Sequence, residues 1–523
     1  MSTAVSNPAC WSALAINTGG PAVSGEKIGV MNAARTFSAS TLRDYLLHDP
    51  EVWALCNQAR LLPTHGEAKP SAYSPAQPSI DSERKSSQTE IPPSFAKASL
   101  KGDPTRVWPV RSLALTGQAA QPAQPIIYPD FMRFLFLTGS FSLQPGSGHL
   151  IQQLAEDLVS RGHTADVLSM GIGQEHAGPA DSETPGIRVF ILGPAPFWAA
   201  TRGPAKYLPN VWRLNLNRRL ARWLDGPYDG FMHATPGVLS AGLGARLKRS
   251  GTVKQSGMFM WDFFPVANQE AGAVGLGRTA RVAFSLERSV VKNTDVLFTM
   301  SPGGARYAKA YYRLTSPKTV VLPPWGSQVI PDTDQDARFD EFTFVWGGQF
   351  IGRRAIPDLL AAAQILERRG ESVAIRLVGD GPLLDESKMR LEQSGLSSVR
   401  FEGRLSRMDY LKLLRRSHAA ISVIEPGSSP SFPSKTVDYC QAGLPLVISV
   451  EEGNDYGDLI AGSGAGLAVT AGDVEGLADA MSEAVRLSST SVWPEMCLAS
   501  RRFFDERLDV KVASATVESA FAV

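Results

Sequence analysis

The sequence has little that would support a disulfide framework, a membrane span or a dedicated nucleic-acid surface. Its 523 residues include only four cysteines and no Cys-x-x-Cys pair, which argues against a disulfide or thiolate-zinc protein and favours a reducing compartment. No apolar run approaches the roughly 18–20 residues of a membrane-spanning helix. Lys and Arg number 52 against 51 Asp and Glu, whereas a nucleic-acid binder is usually far more basic. The N-terminus also lacks the pattern of a secretion signal, so we expect a cytoplasmic protein.

The first 129 residues differ in composition from the rest of the chain. Ten of the 36 prolines fall within residues 63–125, mixed with Ser, Gln, Ala and Lys. Proline at that density breaks helices and central strands, so we predict a flexible, largely disordered extension over residues 1–129. Residues 40–62 could form one or two short amphipathic helices, either within a poorly ordered tail or as a docking segment for a partner. Met132 would be a natural start for the folded region.

From Arg133 onward, short apolar runs alternate with amphipathic helical segments. RFLFLTG and TADVLSM are typical of buried strands, and between them lies HLIQQLAEDLVSRGH, whose leucines recur every four residues. Strand, glycine loop, helix and strand make a βαβ unit, which requires a parallel sheet. The same alternation begins again near Phe342 with the strand FTFVWGG.

This repetition predicts an α/β protein built from two doubly wound, Rossmann-like domains that face a cleft. We place the first domain at residues 130–325 and the second at 326–500, followed by a C-terminal helix over 501–523 that returns to the first domain. Ligands of such sheets bind beyond the carboxyl ends of the strands, so the site is expected in the cleft.

The strongest candidate site lies in the second half, in EPGSSPSFPSKTVDYCQAGLP. A strand ends there, and a Ser/Pro-rich loop leads into a short helix whose backbone N–H groups and dipole suit a phosphate. Lys435 adds a positive charge, Ser434 can cap the helix and donate a hydroxyl, and Asp438 could accept hydrogen bonds from a ribose. The alternative is a capped surface helix with an ordinary Lys–Asp pair.

Two further segments could face an anionic ligand. Arg353 and Arg354 lie between a glycine-ended strand and a helix, where guanidinium groups could neutralise a diphosphate, although a solvated pair of charges is the alternative. Gly146 and Gly148 follow the first strand and would let a ligand approach the backbone closely. Because this loop lacks full G-x-G-x-x-G spacing, it is weak support for a dinucleotide.

In the first half, His233 and Asp262 lie at or just beyond the ends of predicted strands. An imidazole or a carboxylate there could orient or deprotonate an acceptor hydroxyl. A lone His or Asp is also often structural, so both interpretations stay open.

Two other patterns are weaker. Asp332 and Asp334 form a D-x-D pair that could hold a metal diphosphate, but they lie in a polar segment that we interpret as linker. A cluster of arginines among Trp and Leu fits either an anionic membrane surface or the outer face of a helix packed on its own sheet; its members are Arg213, Arg218, Arg219 and Arg222.

Together these motifs resemble the retaining GT-B glycosyltransferases of the GT4 type, in the subgroup of bacterial polysaccharide enzymes. The resemblance covers about residues 132–510, and its pieces occur in the family's order. In the second half they are VWGGQFIGRRAIPDLLAAAQIL, RLVGDGP, VRFEGRLSRMDYLKLLRRSHAAISVI and SPSFPSKTVDYCQAGLPLVIS. The first half matches more loosely, through MRFLFLTGSF, YDGFMHATP, WDFFP and DVLFTMSPGG.

The resemblance implies roles for several positions. Arg354, in a slot usually held by lysine, would bind the donor diphosphate together with Lys435 and the amides around Ser434. Asp438 takes the place of the second glutamate of the family's E-x7-E element, which contacts the donor ribose, and Asp262 would face the sugar and acceptor.

Two positions depart from the family pattern. Pro430 stands in the slot of the first glutamate, and Gln349 replaces the usual arginine. Both departures bear on the sugar contacts.

The resemblance also implies a reaction: transfer of a sugar from a nucleotide-diphosphate sugar to an acceptor hydroxyl with retained configuration. No cofactor or metal would be needed, since cationic side chains and helix N-termini stabilise the leaving group. A lipid-linked saccharide acceptor, in exopolysaccharide, capsule or lipopolysaccharide assembly, would bring the enzyme to the inner membrane face, and no nucleic-acid partner is expected. The alternatives are a GT-B nucleotide-sugar epimerase and a catalytically silent partner subunit.

Overall fold

The computed structural model describes residues 131–145, 149–171, 177–193, 214, 220–270, 277–315, 318–327, 337–451 and 454–522. Several of the predictions concern residues outside these ranges. They are the extension 1–129, the loop glycines Gly146 and Gly148, the Asp332–Asp334 pair, and Arg213, Arg218 and Arg219.

The first domain is built around an eight-stranded sheet in the order β3-β4-β2-β1-β5-β6-β7-β8. Its pairings are parallel except that between β3 and β4. The strands are β1 (Arg133–Thr138), β2 (Thr164–Ser169), β3 (Gly178–Asp181), β4 (Ile187–Ile191), β5 (Tyr228–Ala234), β6 (Val253–Met260), β7 (Val296–Thr299) and β8 (Lys318–Val321). Parallel pairing demands crossover connections, and helices supply them.

The helices of the first domain bury one stripe of apolar residues against the sheet. Leu154 and Leu158 are fully buried, as their spacing predicts, and Gly162 follows the helix with a φ of +98°. The described helices are α1 (Leu150–Ser160), α2 (Leu220–Trp223), α3 (Leu243–Arg249), α4 (Val266–Glu270), α5 (Arg278–Lys292) and α6 (Pro302–Tyr311), with a 3-10 turn at Gly237–Ser240.

The second domain has a six-stranded, all-parallel sheet in the order β11-β10-β9-β12-β13-β14. Its strands are β9 (Thr343–Gln349), β10 (Ala374–Asp380), β11 (Val399–Gly403), β12 (Ala419–Val423), β13 (Leu446–Val450) and β14 (Gly466–Thr470). The order reverses between β9 and β12. The loops that follow these two strands therefore border the crevice where ligands of doubly wound sheets bind.

The helices of the second domain cover both faces of its sheet. They are α7 (Ile356–Arg368), α8 (Leu384–Ser394), α9 (Arg407–Arg416), α10 (Lys435–Gln441), α11 (Tyr456–Gly462), α12 (Val474–Ser488) and α13 (Val492–Phe503), and a π-turn at Phe504–Leu508 leads to α14 (Val510–Phe521). The two domains with parallel sheets have the α/β architecture that the sequence predicts.

The last helix, α14, packs on the first domain. Val517 and Phe521 are buried in its core, and the Phe521 ring meets that of Phe134 edge-on at 5.9 Å. The Glu518 carboxylate lies 3.1 Å from Nε2 of His163, whose Nδ1 accepts a hydrogen bond from the backbone N–H of Met132. Because Nδ1 is the acceptor, Nε2 carries the proton and donates it to Glu518. The end of the chain is thus attached to the start of β1.

Candidate active site

The predicted cationic residues lie on or next to the two loops at the switch point of the second sheet. Arg353 and Arg354 lie between β9 and α7, and Lys435 begins α10 after the loop that follows β12. Since β9 and β12 are neighbours in the sheet, both loops leave from the same edge.

Arg353 is turned toward the first domain. Its side chain is buried, with Nε 3.0 Å from the Glu270 carboxylate and Nη1 2.9 Å from Asp262. Its Nη2 also donates to the hydroxyl and carbonyl oxygens of Ser429, each at 3.3 Å. The structure therefore gives Arg353 three protein partners, and its role in binding a diphosphate stays a prediction from the sequence.

Arg354 has a different environment from its neighbour. Among the described residues, its guanidinium has no hydrogen-bond or ion-pair partner, although the charge of Asp262 and the rings of Tyr439 and Tyr456 lie within electrostatic reach. Burial lowers the pKa of Arg354, and the positive charge of Arg353 lowers it further. An anion at this position would replace the lost solvation, so Arg354 is prepared for a negatively charged ligand.

Lys435 is held over an aromatic ring. Its Nζ lies 4.5 Å from the centre of the Tyr410 ring and 3.2 Å from the Asp438 carboxylate. The Tyr439 hydroxyl accepts a hydrogen bond of 2.7 Å from the N–H of Gly347, at the end of β9. A β-carbon on Gly347 would lie only 2.8 Å from the Tyr410 hydroxyl, so glycine lets α9 approach the strand closely.

Asp438 is buried and binds two cations. Arg407 contacts one carboxylate oxygen at 2.7 Å, and Lys435 contacts the other. Burial alone would raise the pKa of Asp438, but the charges of Lys435 and Arg407 outweigh it and hold that pKa below its ordinary value. Carboxylate oxygens have further lone pairs, so a ribose hydroxyl would have to share Asp438 with these cations.

Ser434 does not cap α10, so that expectation was wrong. Its backbone already has helical angles, its side chain makes no capping hydrogen bond, and the residue is exposed. The first turn is closed by backbone groups, with the N–H of Thr436 donating to Pro433 at 3.0 Å. A residue with helical φ and ψ cannot take the extended geometry that a side-chain cap requires.

His233 and Asp262 differ in exposure. His233 is only 3% exposed at the end of β5, and burial lowers its pKa to about 4, so the imidazole is neutral near pH 7. It lines a small hollow with Thr138, Ala234 and Trp261, at the carboxyl ends of β1, β5 and β6. The Asp262 side chain is 55% exposed and pairs with Arg353. Of these two side chains, that of Asp262 is therefore the more accessible.

Sequence reasoning missed several residues around this site. Glu270 gives no signal in the sequence, since it is a single charge at the end of a short helix. Arg407 looks like an ordinary charge in the first turn of a helix, and Tyr410 and Tyr439 look like core aromatics. Tyr410 lies three residues after Arg407, and Tyr439 lies one residue after Asp438. This proximity in sequence is the signal that could have identified the two tyrosines.

Two kinds of feature are missing from the described ranges. No three His, Cys, Asp or Glu side chains there lie close enough together to hold a metal ion. No helix within them is both long and apolar enough to cross a bilayer.

The fold and the cationic crevice define a two-domain enzyme of the GT-B type, with two parallel-sheet domains and a site at the strand ends. Two family models match the chain: "Glycosyl transferases group 1" over residues 341–486, and "Glycosyl transferase 4-like domain" over 146–325. Together they cover more than half of it. The chain therefore belongs to the GT4-type glycosyltransferases, glycosyl transferases group 1. Among curated protein sequences, none matches it.

Solved structures share the fold at low sequence identity. Sucrose-phosphate synthase from Thermosynechococcus elongatus superposes with a TM-score of 0.58 at 16% identity, over 75% of this chain and 98% of that one. WaaG, a glycosyltransferase involved in lipopolysaccharide biosynthesis, gives 0.53 at 16% identity, over 74% and 98%. HepE from Anabaena in complex with UDP-glucose gives 0.52 at 15% identity, over 75% and 100%.

Proposed function

We propose that this glycosyltransferase moves a sugar from a nucleotide-diphosphate sugar to an acceptor hydroxyl with retention of configuration. The observation that carries the proposal is the pair of cations at the switch point of the second sheet. Arg354 has no hydrogen-bond or ion-pair partner among the described residues, and Lys435 begins α10 at the end of the neighbouring loop. A diphosphate would satisfy both.

The donor class is supported by the structural neighbours. HepE from Anabaena has been solved with UDP and with UDP-glucose, and it shares the fold of this chain. A nucleoside diphosphate would offer its phosphates to Arg354 and Lys435 and a ribose hydroxyl to Asp438.

In the proposed reaction, the second domain stabilises the leaving diphosphate and the first domain orients the acceptor. As the bond between sugar and diphosphate breaks, negative charge grows on the leaving oxygen, and Arg354 and Lys435 stabilise it electrostatically without a metal. Asp262 enters from the first domain and is the ionisable group best placed to orient the acceptor hydroxyl. His233 is neutral and buried, so it contributes shape and hydrogen bonding rather than charge.

We further propose that the acceptor is a lipid-linked saccharide at an anionic membrane surface, in polysaccharide assembly. Residues 220–325 carry 13 Lys and Arg against 6 Asp and Glu, although the whole chain is nearly neutral. Three of these cations, Arg246, Lys248 and Arg249, lie in the last turn of α3. An excess of basic residues favours anionic headgroups, and WaaG, which shares the fold, is a glycosyltransferase involved in lipopolysaccharide biosynthesis.

Thermal unfolding in the presence of UDP, GDP, ADP and CMP tests the donor site. A nucleotide at 100 times its Kd should add about 2.7 kcal/mol of stability. We expect one nucleoside diphosphate to stabilise the wild type, Lys435→Ala to lose that effect, and Lys388→Ala, an exposed lysine of the same domain, to keep it. Stabilisation by none of the nucleotides would favour a silent partner subunit. Conversion of a UDP-sugar without acceptor would favour an epimerase.

A further inference from the structure

A group of polar side chains joins the two domains beside the candidate site. Asp262 and Glu270 come from the first domain, and Arg353 and Ser429 from the second. We refer to these four residues as the interdomain cluster. None of them was expected from the sequence to bind another member.

Glu270 is the centre of the interdomain cluster. Its carboxylate accepts hydrogen bonds from the Ser429 N–H at 2.7 Å and the Ser429 hydroxyl at 3.0 Å, and it pairs with Nε of Arg353 at 3.0 Å. Ser429 is 4% exposed and Arg353 9%. Charge-assisted hydrogen bonds that are screened so little by water are strong and directional.

The partners of Glu270 belong to the two loops that border the crevice. Arg353 lies in the loop after β9, next to Arg354, and Ser429 lies in the loop after β12 that leads to Lys435. The backbones also approach closely here, because a β-carbon on Gly352 would lie 3.1 Å from the carbonyl oxygen of Glu270. One carboxylate of the first domain therefore holds both cation-bearing loops of the second.

We propose that Glu270 is a positioning residue for donor binding. It neutralises Arg353, so that of the two adjacent arginines only Arg354 faces the ligand, and it orders the loop 425–434 in front of Lys435. Because Glu270 belongs to the other domain, this order exists only when the domains are closed. The inference rests on the proposed function, since it assigns Arg354 and Lys435 to the donor diphosphate.

A second interdomain contact provides a matched control. The Asp455 carboxylate of the second domain accepts a hydrogen bond from the Gly303 N–H at the start of α6. It crosses between the same two domains but, within the part of the chain that the structure describes, it forms no hydrogen bond or ion pair with Arg353 or Ser429. Loss of this contact through Asp455→Ala therefore reports a general weakening of the domain contact.

Hydrogen exchange of the full-length protein without ligand tests the ordering step. In Glu270→Ala, amides of residues 425–434 should exchange at least about ten-fold faster, while the amides of α7 keep their protection. Glu270→Gln should restore part of the effect, because its carbonyl can still accept from Ser429. Asp455→Ala should leave residues 425–434 within about two-fold of wild type. Unchanged exchange in Glu270→Ala, or equal acceleration in Asp455→Ala, would overturn the proposal.

Calorimetric titration with UDP tests the coupling to the ligand site. Glu270→Ala and Arg353→Ala should each weaken UDP binding about five- to twenty-fold. The UDP affinity of the double variant should be no lower than that of the single variant with the lower affinity, because both substitutions act through one contact. Independent roles would instead multiply the two losses and contradict the proposal. If the wild type bound no UDP, the proposed function would fail for that nucleotide, and the exchange experiment would still decide the role of Glu270.

Discussion

Near the carboxyl ends of the strands, the buried ionisable groups of the two domains lie in different environments. In the first domain, Glu287 is fully buried and accepts hydrogen bonds from the N–H groups of Gly237 and Val238, and burial raises its pKa to about 7. His233 is also buried, and burial lowers its pKa to about 4. In the second domain, the buried Asp438 stays ionised beside two cations.

This difference shows where charge is available to a ligand. Burial favours the neutral forms of Glu287 and His233, so these two groups shape the interior of the first domain without attracting an ion. The second domain retains charge at the strand ends, with Arg354 lacking a close partner among the described residues. A nucleoside diphosphate is therefore expected to bind the second domain, and the first is expected to present the acceptor.

The largest effect on stability is expected from removal of the buried carboxylate of the first domain. Glu287→Ala leaves the buried N–H groups of Gly237 and Val238 without their acceptor, at a cost of about 1–3 kcal/mol each. We expect the free energy of unfolding in urea to fall by about 3–5 kcal/mol. The control is Glu386→Ala, which removes a half-exposed ion pair with Arg390 and should change stability by less than about 0.5 kcal/mol. A similar small loss in Glu287→Ala would show that water replaces the carboxylate.

The pH dependence of stability should separate Glu287 from His233. Below its ordinary pKa of 4.5, Glu287 is protonated in both states, and its contribution is lost as the pH rises through about 7. The contribution of His233 is complete above 6.5 and is lost as the pH falls through about 4. Each amounts to about 3 kcal/mol at most, and in the wild type the two slopes oppose each other between pH 4.5 and 6.5.

Single variants expose these two slopes. Glu287→Gln should become less stable on acidification from pH 6.5, and His233→Gln should become less stable as the pH rises from 4.5. Urea unfolding midpoints at pH 5, 6, 7 and 8 measure both trends. Parallel profiles for the two variants would mean that neither group is kept neutral by burial.

The sequence predicts the strands and helices well. It does not predict that Arg353 pairs with residues of the first domain while the neighbouring Arg354 does not. Strands such as β1 and β9 are short apolar runs that end at polar or glycine residues, and the buried stripe of α1 follows from its leucine spacing, so these elements depend on local patterns. The contacts of Arg353 do not depend on local patterns. Glu270 and Ser429 are 159 positions apart, and only the packing of the two domains brings them together.

The ionisation states of Glu287 and Asp438 could not be predicted from the sequence either. Both are acidic residues within helical segments, where a sequence pattern favours exposed charges. Glu287 is buried because α5 lies against the turn that follows β5, and Asp438 because α10 lies beneath Arg407. Neither arrangement has a local signature.

A smaller effect, of opposite sign for stability and binding, is expected at Arg354. Arg354→Met removes a largely desolvated cation that has no close partner among the described residues, so the ligand-free protein should gain up to about 1 kcal/mol. UDP binding should weaken about 10- to 30-fold, or about 1.4–2 kcal/mol, because charge-assisted hydrogen bonds to the diphosphate are lost. Thermal unfolding and calorimetry on one preparation measure both. If stability fell while UDP affinity stayed the same, Arg354 would belong to the fold and not to the ligand site.

The smallest effect is expected from Arg407→Gln. The guanidinium is 46% exposed and contacts one oxygen of Asp438, while Lys435 holds the other, so the loss at pH 7 should be about 1 kcal/mol or less. The pKa of Asp438 should rise toward its ordinary value, because one of the two cations that lower it is gone. A carboxyl with a lowered pKa loses its contribution to stability as the pH falls, so in this variant the loss on acidification should begin at a higher pH than in the wild type. Unfolding midpoints between pH 3 and 5 provide the test. If the loss of stability between pH 5 and 3 were unchanged, Lys435 alone would keep Asp438 ionised. Arg407 would then be available to the nucleotide.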